Sequence, residues 1–391
     1  MDFLSRAACI YPGKVAVVDG GRRYSYRQLA ERSGRLAGAL RAAGLGKGDR
    51  VATLLFNSPA MLEAHFGVPA AGGVLVAVNH RLAGPEVGYI LAHSGARFLL
   101  LDTRLEGLAG QAGLAGVRVI RCAGDGGPGD RYEGFLAGAP PVRPVSWLGD
   151  EEETISVNYT SGTTGRPKGV QYSYRGAYLN ALGEVIVAGL GAGSVYLWTL
   201  PMFHCNGWCF PWAVTAAAAR HVMMPAVDPA RVWELIDGEG VTHYNAAPTV
   251  QLMILNHPRA HRLGRPVTAM VAAAPPSPNR GKDIIISGGE NISSIEVEQA
   301  ITAHPAVLEC AVIGIPHPHW GERPKAYVSL NQDAAATPEE IIAFCRDRLA
   351  RYKCPDTVQF GPLPKTSTGK IQKFVLRDRE WAGHDNKIGR A

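Results

Sequence analysis

What this 391-residue sequence lacks narrows it quickly. The most apolar interior stretch, Val68 to Val78, contains two glycines and stops at Asn79, well short of the roughly 20 residues a membrane helix needs. Met1 to Val18 sets Asp2, Arg6 and Lys14 among short apolar pieces, so it lacks the uninterrupted core of a secretion signal. Seven cysteines (Cys9, Cys122, Cys205, Cys209, Cys310, Cys345 and Cys354) are an odd number without regular spacing. A disulfide framework is not expected, and a reducing, cytoplasmic setting is. Net charge is only +6, from 40 basic against 34 acidic residues, with no long basic run, which argues against nucleic acid as a partner. No Gly-x-Ser-x-Gly elbow occurs, which argues against a hydrolase. The remainder, 46% hydrophobic and 19% charged, is ordinary globular composition, with enough chain for two or more domains.

The most informative stretch is Tyr159-Thr160-Ser161-Gly162-Thr163-Thr164-Gly165-Arg166-Pro167-Lys168-Gly169-Val170, which follows the strand-like Thr154 to Asn158. Glycines let successive backbone N–H groups turn inward around an anion, hydroxyls add donors, and a lysine supplies charge. A phosphate-holding loop has this composition, although a solvated polar loop shares it. The common nucleotide loop is excluded, because Pro167, Lys168 and Gly169 stand where its Gly, Lys and Ser/Thr belong.

Around that loop the chain alternates helix and strand. Ser25 and Gln28 form a capping-box pattern ahead of a helix that Gly44 ends, and strand Val51 to Phe56 follows. Ser58-Pro59 opens a second helix, Val74 to Val78 reads as a buried strand, Pro85 to His93 as a helix and Arg97 to Leu101 as a strand. The expected fold class is α/β: a large N-terminal domain with doubly wound, mostly parallel sheets, plus a small α+β C-terminal domain. Gly124 to Pro144 reads as a surface connection, and the aromatic stretch Phe203 to Trp212 leads into a small-residue helix, Ala213 to Arg220. That stretch suits core packing or the wall of an apolar cavity. His204, Cys205 and Cys209 lack the fourth ligand and paired spacing of a zinc site. A composition break divides the chain into residues 1–278, a hinge at 279–282, and residues 283–391.

Four stretches, Tyr159 to Val170, Met202 to Trp208, Lys282 to Ser294 and Pro364 to Lys373, together resemble the adenylate-forming (AMP-binding) superfamily, in particular its fatty-acyl and related acyl-CoA synthetases. The resemblance implies ATP, Mg2+ and coenzyme A as partners to an apolar carboxylic acid. The acid would attack the α-phosphate to give acyl-AMP, and the thiol of coenzyme A would then take the acyl group. By position, Thr160, Ser161, Gly162, Thr163, Thr164, Gly165 and Lys168 would wrap the terminal phosphates. Lys370 would be the catalytic lysine, its fixed cation offsetting charge that develops in transfer. Arg280 would contact the ribose, Lys282 would be the hinge, Gly288, Gly289 and Glu290 would line the pantetheine tunnel, and His204 and Trp208 would border the acyl pocket.

Two strings that the resemblance calls for are absent: Tyr-Gly-x-Thr-Glu, with a magnesium-holding glutamate, and Thr-Gly-Asp, with a ribose-holding aspartate. The identity of the metal ligands is therefore open. Pro278 runs straight into Asn279-Arg280-Gly281-Lys282, as though an internal segment on the order of 100 residues were missing. Such a loss implies impaired adenylation, unpaired sheet edges and exposed apolar surface. Two further readings stay open: a non-catalytic remnant that binds nucleotide or coenzyme A, and a damaged product without a stable fold.

Overall fold

The computed structural model describes residues 2–124, 126–127, 129–142, 149–160, 167–271, 284–365 and 371–382. Three sheets organise them. In the first, the strands run in the order Arg118–Cys122, Ala96–Asp102, Arg50–Leu54, Val74–Ala77, Thr154–Thr160 and Lys168–Ser173, all parallel except the last pair. Alternate residues of these strands feed two cores. Val51, Leu75, Phe98 and Leu100 point to one face, and Ala52, Leu54, Val76, Leu99 and Leu101 to the other. Burial on both faces is what a parallel sheet requires, and it explains why these strands read as continuous apolar runs.

The second sheet runs Thr268–Val271, His243–Ala246, Val195–Leu197, Arg220–Val222, Val15–Asp19 and Arg22–Ser25, again parallel except for the last pair. Its Val15–Asp19 strand comes from the N-terminal hairpin, with Val17 facing His221. The third sheet, Glu290–Ser293, Ile284–Ser287, Gly321–Leu330 and Val307–His317, is antiparallel. Thr357–Phe360 adds to it in parallel, and the helices Ser294–Thr302 and Pro338–Arg346 pack over its core. The expected α/β architecture, with a small α+β unit at the C-terminal end, is therefore observed.

Local signals explain many boundaries. The Ser25–Gln28 capping box forms in both directions at the start of Tyr26–Ala42, and the Ser58 hydroxyl caps Pro59–Ala71. Gly124 to Pro144 is not the plain surface connection expected, because it contains the helix Arg131–Ala137, with Asp130 as its cap and Tyr132 and Leu136 buried. Arg32 joins three helices here: its guanidinium donates to Glu63 at 2.6 Å and to Glu133 at 2.7 Å, while the Tyr132 hydroxyl donates to Glu63. The small-residue helix is Phe210–Ala216 and ends earlier than expected, because Arg220 opens a strand.

One border of the second sheet is poorly covered. Among the described residues Thr268–Val271 has a neighbour on one side only, three of its four residues are exposed, and Val271 retains 49% of its accessible surface. An open apolar edge is a template for pairing between chains. Val271→Lys should therefore slow aggregation at fixed protein concentration, measured by light scattering. Unchanged kinetics would show that another surface controls it.

Candidate active site

The two ends of the stretch Tyr159 to Val170 lie on paired strands. Thr154–Thr160 and Lys168–Ser173 pair antiparallel, with Thr160 opposite Lys168. Lys168 is thus an exposed strand residue. Tyr159 is held from below by His93, whose Nδ1 lies 2.8 Å from the phenol oxygen. Ser161, Gly162, Thr163, Thr164 and Gly165 lie outside the described residues, as do Arg280, Lys282 and Lys370.

Beside these strands, Cys205, Asn206, Gly207, Trp208 and Cys209 have φ values of 50°, 51°, 53°, 56° and 63°, a full turn of left-handed backbone. Four of the five carry a Cβ, and such conformations cost on the order of 1–3 kcal/mol each. The surroundings hold the turn in place. The Asn57 amide donates to the carbonyls of Trp198 and Leu200 and accepts from the Met202 N–H, Asn158 donates to the Phe203 carbonyl, and buried Asn206 donates to Ser156 Oγ at 2.7 Å. A Cβ on Gly207 would fall 2.7 Å from the buried Trp198 ring. Gly207→Ala should cost about 2–4 kcal/mol from backbone strain and overpacking, read from the denaturant midpoint. A loss below about 1 kcal/mol would show that the turn relaxes.

The turn sets His204 and Cys205 side by side, with Sγ 3.2 Å from Nδ1. The interaction with Cys205 raises the His204 pKa, against the opposing effect of burial. Burial alone would raise the Cys205 thiol, but His204 and the Tyr172 hydroxyl outweigh it and bring the thiol below its usual range.

The opposite wall comes from the third sheet. Gly288 and Gly289, at φ 59° and 87°, make the tight turn between Ile284–Ser287 and Glu290–Ser293. A Cβ on Gly289 would meet that of Ala247 at 2.7 Å, so the turn abuts the second sheet's side closely. Glu290 is buried and paired with Arg81. Deeper in, Lys353 is 2% exposed and pairs with both Glu86 and Glu296, the latter at 2.9 Å. Glu86 also accepts from the N–H of Ala83, at the start of its own helix Gly84–Ser94, and from the N–H of Ala350 across the boundary. Burial on its own would lower the pKa of Lys353, but the two carboxylates more than offset it and raise it. Burial raises Glu296, and the charge of Glu86 adds to it despite Lys353; Glu296 Oε2 has no hydrogen-bond partner.

Between these walls lies a cavity of about 290 Å³, bordered by Asn158, Thr160, His204, Cys205, Glu290 and Lys353 and by apolar side chains that include Leu82, Ile90, Phe203 and Ile286. His204 and Glu290 are therefore brought to one cavity. Trp208 does not border this cavity, and Phe210 and Trp212 are core residues, Trp212 Nε1 donating to the His65 carbonyl. Among the described residues no three His, Cys, Asp or Glu side chains converge as a metal site, and Glu290 is already taken by Arg81. Among the described residues these donors do not make a resident magnesium site. Arg81, Glu86 and Lys353 were missed in the sequence. Pro85 marks the helix that carries Glu86, but no local signal distinguishes a buried lysine from an exposed one.

Lys353→Met should cost about 3–5 kcal/mol by stranding two buried carboxylates, read from denaturant unfolding. Glu296 holds its proton to higher pH when folded than when unfolded. Its contribution to stability is therefore full below the ordinary glutamate range and falls as pH rises through the raised native value. Glu296→Gln should flatten that decline, and an unaltered slope would exclude Glu296 as its source.

Residues 4–295 match the family model described as AMP-binding enzyme, and residues 296–370 match the AMP-binding enzyme C-terminal domain. Acetate/butyrate–CoA ligase AAE7, peroxisomal, from Arabidopsis thaliana is 32% identical over 96% of this chain and 93% of its own length. The 4-hydroxybutyrate–CoA ligase 2 of Metallosphaera sedula is 30% identical over 96% and 93%. The alignment to the Arabidopsis protein runs over 531 positions against 391 residues here, so at least 140 of them have no counterpart in this chain. The fold is similar to amide bond synthetase McbA from Marinactinospora thermotolerans (TM-score 0.82, 22% identity, 97% of this chain and 99% of that one). It is also similar to o-succinylbenzoate CoA synthetase from Bacillus subtilis (TM-score 0.80, 22% identity, 96% and 98%). No helix among the described residues is long and apolar enough to cross a membrane.

Proposed function

The chain belongs to the AMP-binding enzyme family, and from that premise we propose that it is an acid–thiol ligase of the acyl-CoA synthetase type, built to join an apolar carboxylic acid to coenzyme A through an acyl-adenylate, with its adenylation step impaired. The observation that carries this reading is the cavity, where the strand end at Thr160, His204 of the left-handed turn and Glu290 of the third sheet face one space. In this reading residues 1–278 form the AMP-binding unit, 279–282 the hinge and 283–391 the C-terminal unit. The acid lies near His204 among Phe203, Leu82 and Ile90, the stretch from Thr160 to Lys168 holds phosphate, and the Gly288-Gly289 turn passes the pantetheine arm. Lys370 supplies the cation at the reacting oxygens. Seven unpaired cysteines suit a reducing compartment such as the cytoplasm.

Impairment follows from the excess of positions in the relatives, which we place between Pro278 and Asn279, next to the open edge at Val271. Loss of one preorganised transition-state group typically costs about 10² to 10³ in rate, and the glutamate and aspartate strings go together. The same observation favours a second reading, a remnant that binds nucleotide or coenzyme A without turnover. With ATP, magnesium and a panel of short, branched and aryl acids, carboxylate-dependent pyrophosphate exchange should be weak or absent, while calorimetry should still detect ATP or coenzyme A. Robust exchange that Lys370→Ala abolishes would overturn impairment, and absence of binding to either ligand would overturn both readings.

A further inference from the structure

We propose that Cys205 is a covalent modification site, an activated thiol that small carbon electrophiles entering the cavity alkylate ahead of every other cysteine of the chain. Three geometric facts support it. The sulfur borders the cavity and is half-buried, so a small reagent can reach it while bulk water is partly excluded. It sits 3.2 Å from His204 Nδ1, close enough for the proton to pass to the imidazole. The left-handed turn fixes the sulfur and the ring on one short segment whose backbone is anchored by Asn158 and Asn206, so the pair is set before any ligand arrives.

The remaining cysteines lack this setting. Cys122, Cys209, Cys310, Cys345 and Cys354 are buried, and burial raises the pKa of each thiol. Cys9 is exposed and lies outside the cavity. The charged and titratable groups facing the pair are Tyr172 from the paired strands, whose hydroxyl favours the thiolate, Cys209 at the end of the turn, and the Glu290–Arg81 pair across the cavity. Glu290 opposes a thiolate, but Arg81 shares its charge.

With iodoacetamide the step is a displacement. The thiol proton moves to His204, the sulfur forms a bond to the methylene carbon, and the carbon–iodine bond breaks with its electron pair leaving as iodide. The imidazolium then returns its proton to water. The reactivity needs neither nucleotide, acid nor coenzyme A, so it stands or falls independently of the ligase reading.

The test uses the full chain with substoichiometric iodoacetamide from pH 5 to 9, with each cysteine-bearing peptide quantified by mass spectrometry. Cys205 should label first, at least about tenfold faster than Cys9 at pH 6.5, with a midpoint below the roughly 8.5 of a free cysteine. His204→Gln should return the midpoint to the ordinary range and slow labelling about tenfold or more at pH 6.5, with folding checked by circular dichroism. Tyr172→Phe should slow it by a smaller factor, and it decides the matter if the histidine variant does not fold. Labelling of Cys205 no faster than Cys9 would overturn the proposal, as would a Cys205 pH profile unaltered by both substitutions.

Discussion

One ammonium shared by two carboxylates sets the relation between the halves of this protein. Lys353 comes from the C-terminal unit, Glu296 from a helix of that unit, and Glu86 from the first turn of a helix beside the first sheet. An apolar contact of similar size would hold the units as well or better, since burying three ionised groups is expensive. The ionic version adds selectivity: only an arrangement that brings Glu86 to Lys353 satisfies the Ala350 N–H as well. The third sheet is thereby placed so that Glu290 and the Gly288-Gly289 turn face the paired strands rather than solvent.

The cavity this creates has one wall that stores strain and one that is assembled by charge. On the first, five consecutive positive φ values are maintained by three asparagines and a glycine under Trp198. On the second, tight turns of glycine bring backbone within contact of Ala247.

Much of the fold was legible because it rests on local rules. Ser25 and Gln28 announce a helix start through a hydrogen-bond pattern that needs no distant partner, and runs such as Val74 to Val78 reveal strands covered on both faces. The resemblance singled out His204 and Glu290 through short motifs, and both border the cavity. What sequence could not convey were outcomes of long-range packing. The burial of Lys353 depends on partners 57 and 267 residues away. Phe210 and Trp212 look as suited to an acyl pocket as to a core, and only the helix packing decides that they are core. The Arg131–Ala137 helix was hidden because its flanks are rich in glycine and proline, while its hold on the core comes from Tyr132 reaching Glu63.

The parallel pairing of Val15–Asp19 with Arg220–Val222 has a consequence for how the chain is made. The N-terminal hairpin finds its partner only after roughly 200 more residues have been polymerised, an interval of about 10–40 s at ordinary ribosomal speeds of about 5–20 residues per second. During that time Val15–Asp19 can pair only with the nearby Arg22–Ser25, and the Tyr26 hydroxyl lacks its acceptor, the carbonyl of Ala219. The second sheet is thus completed only after Arg220–Val222 has been made, and until then Val15–Asp19 lacks its parallel neighbour.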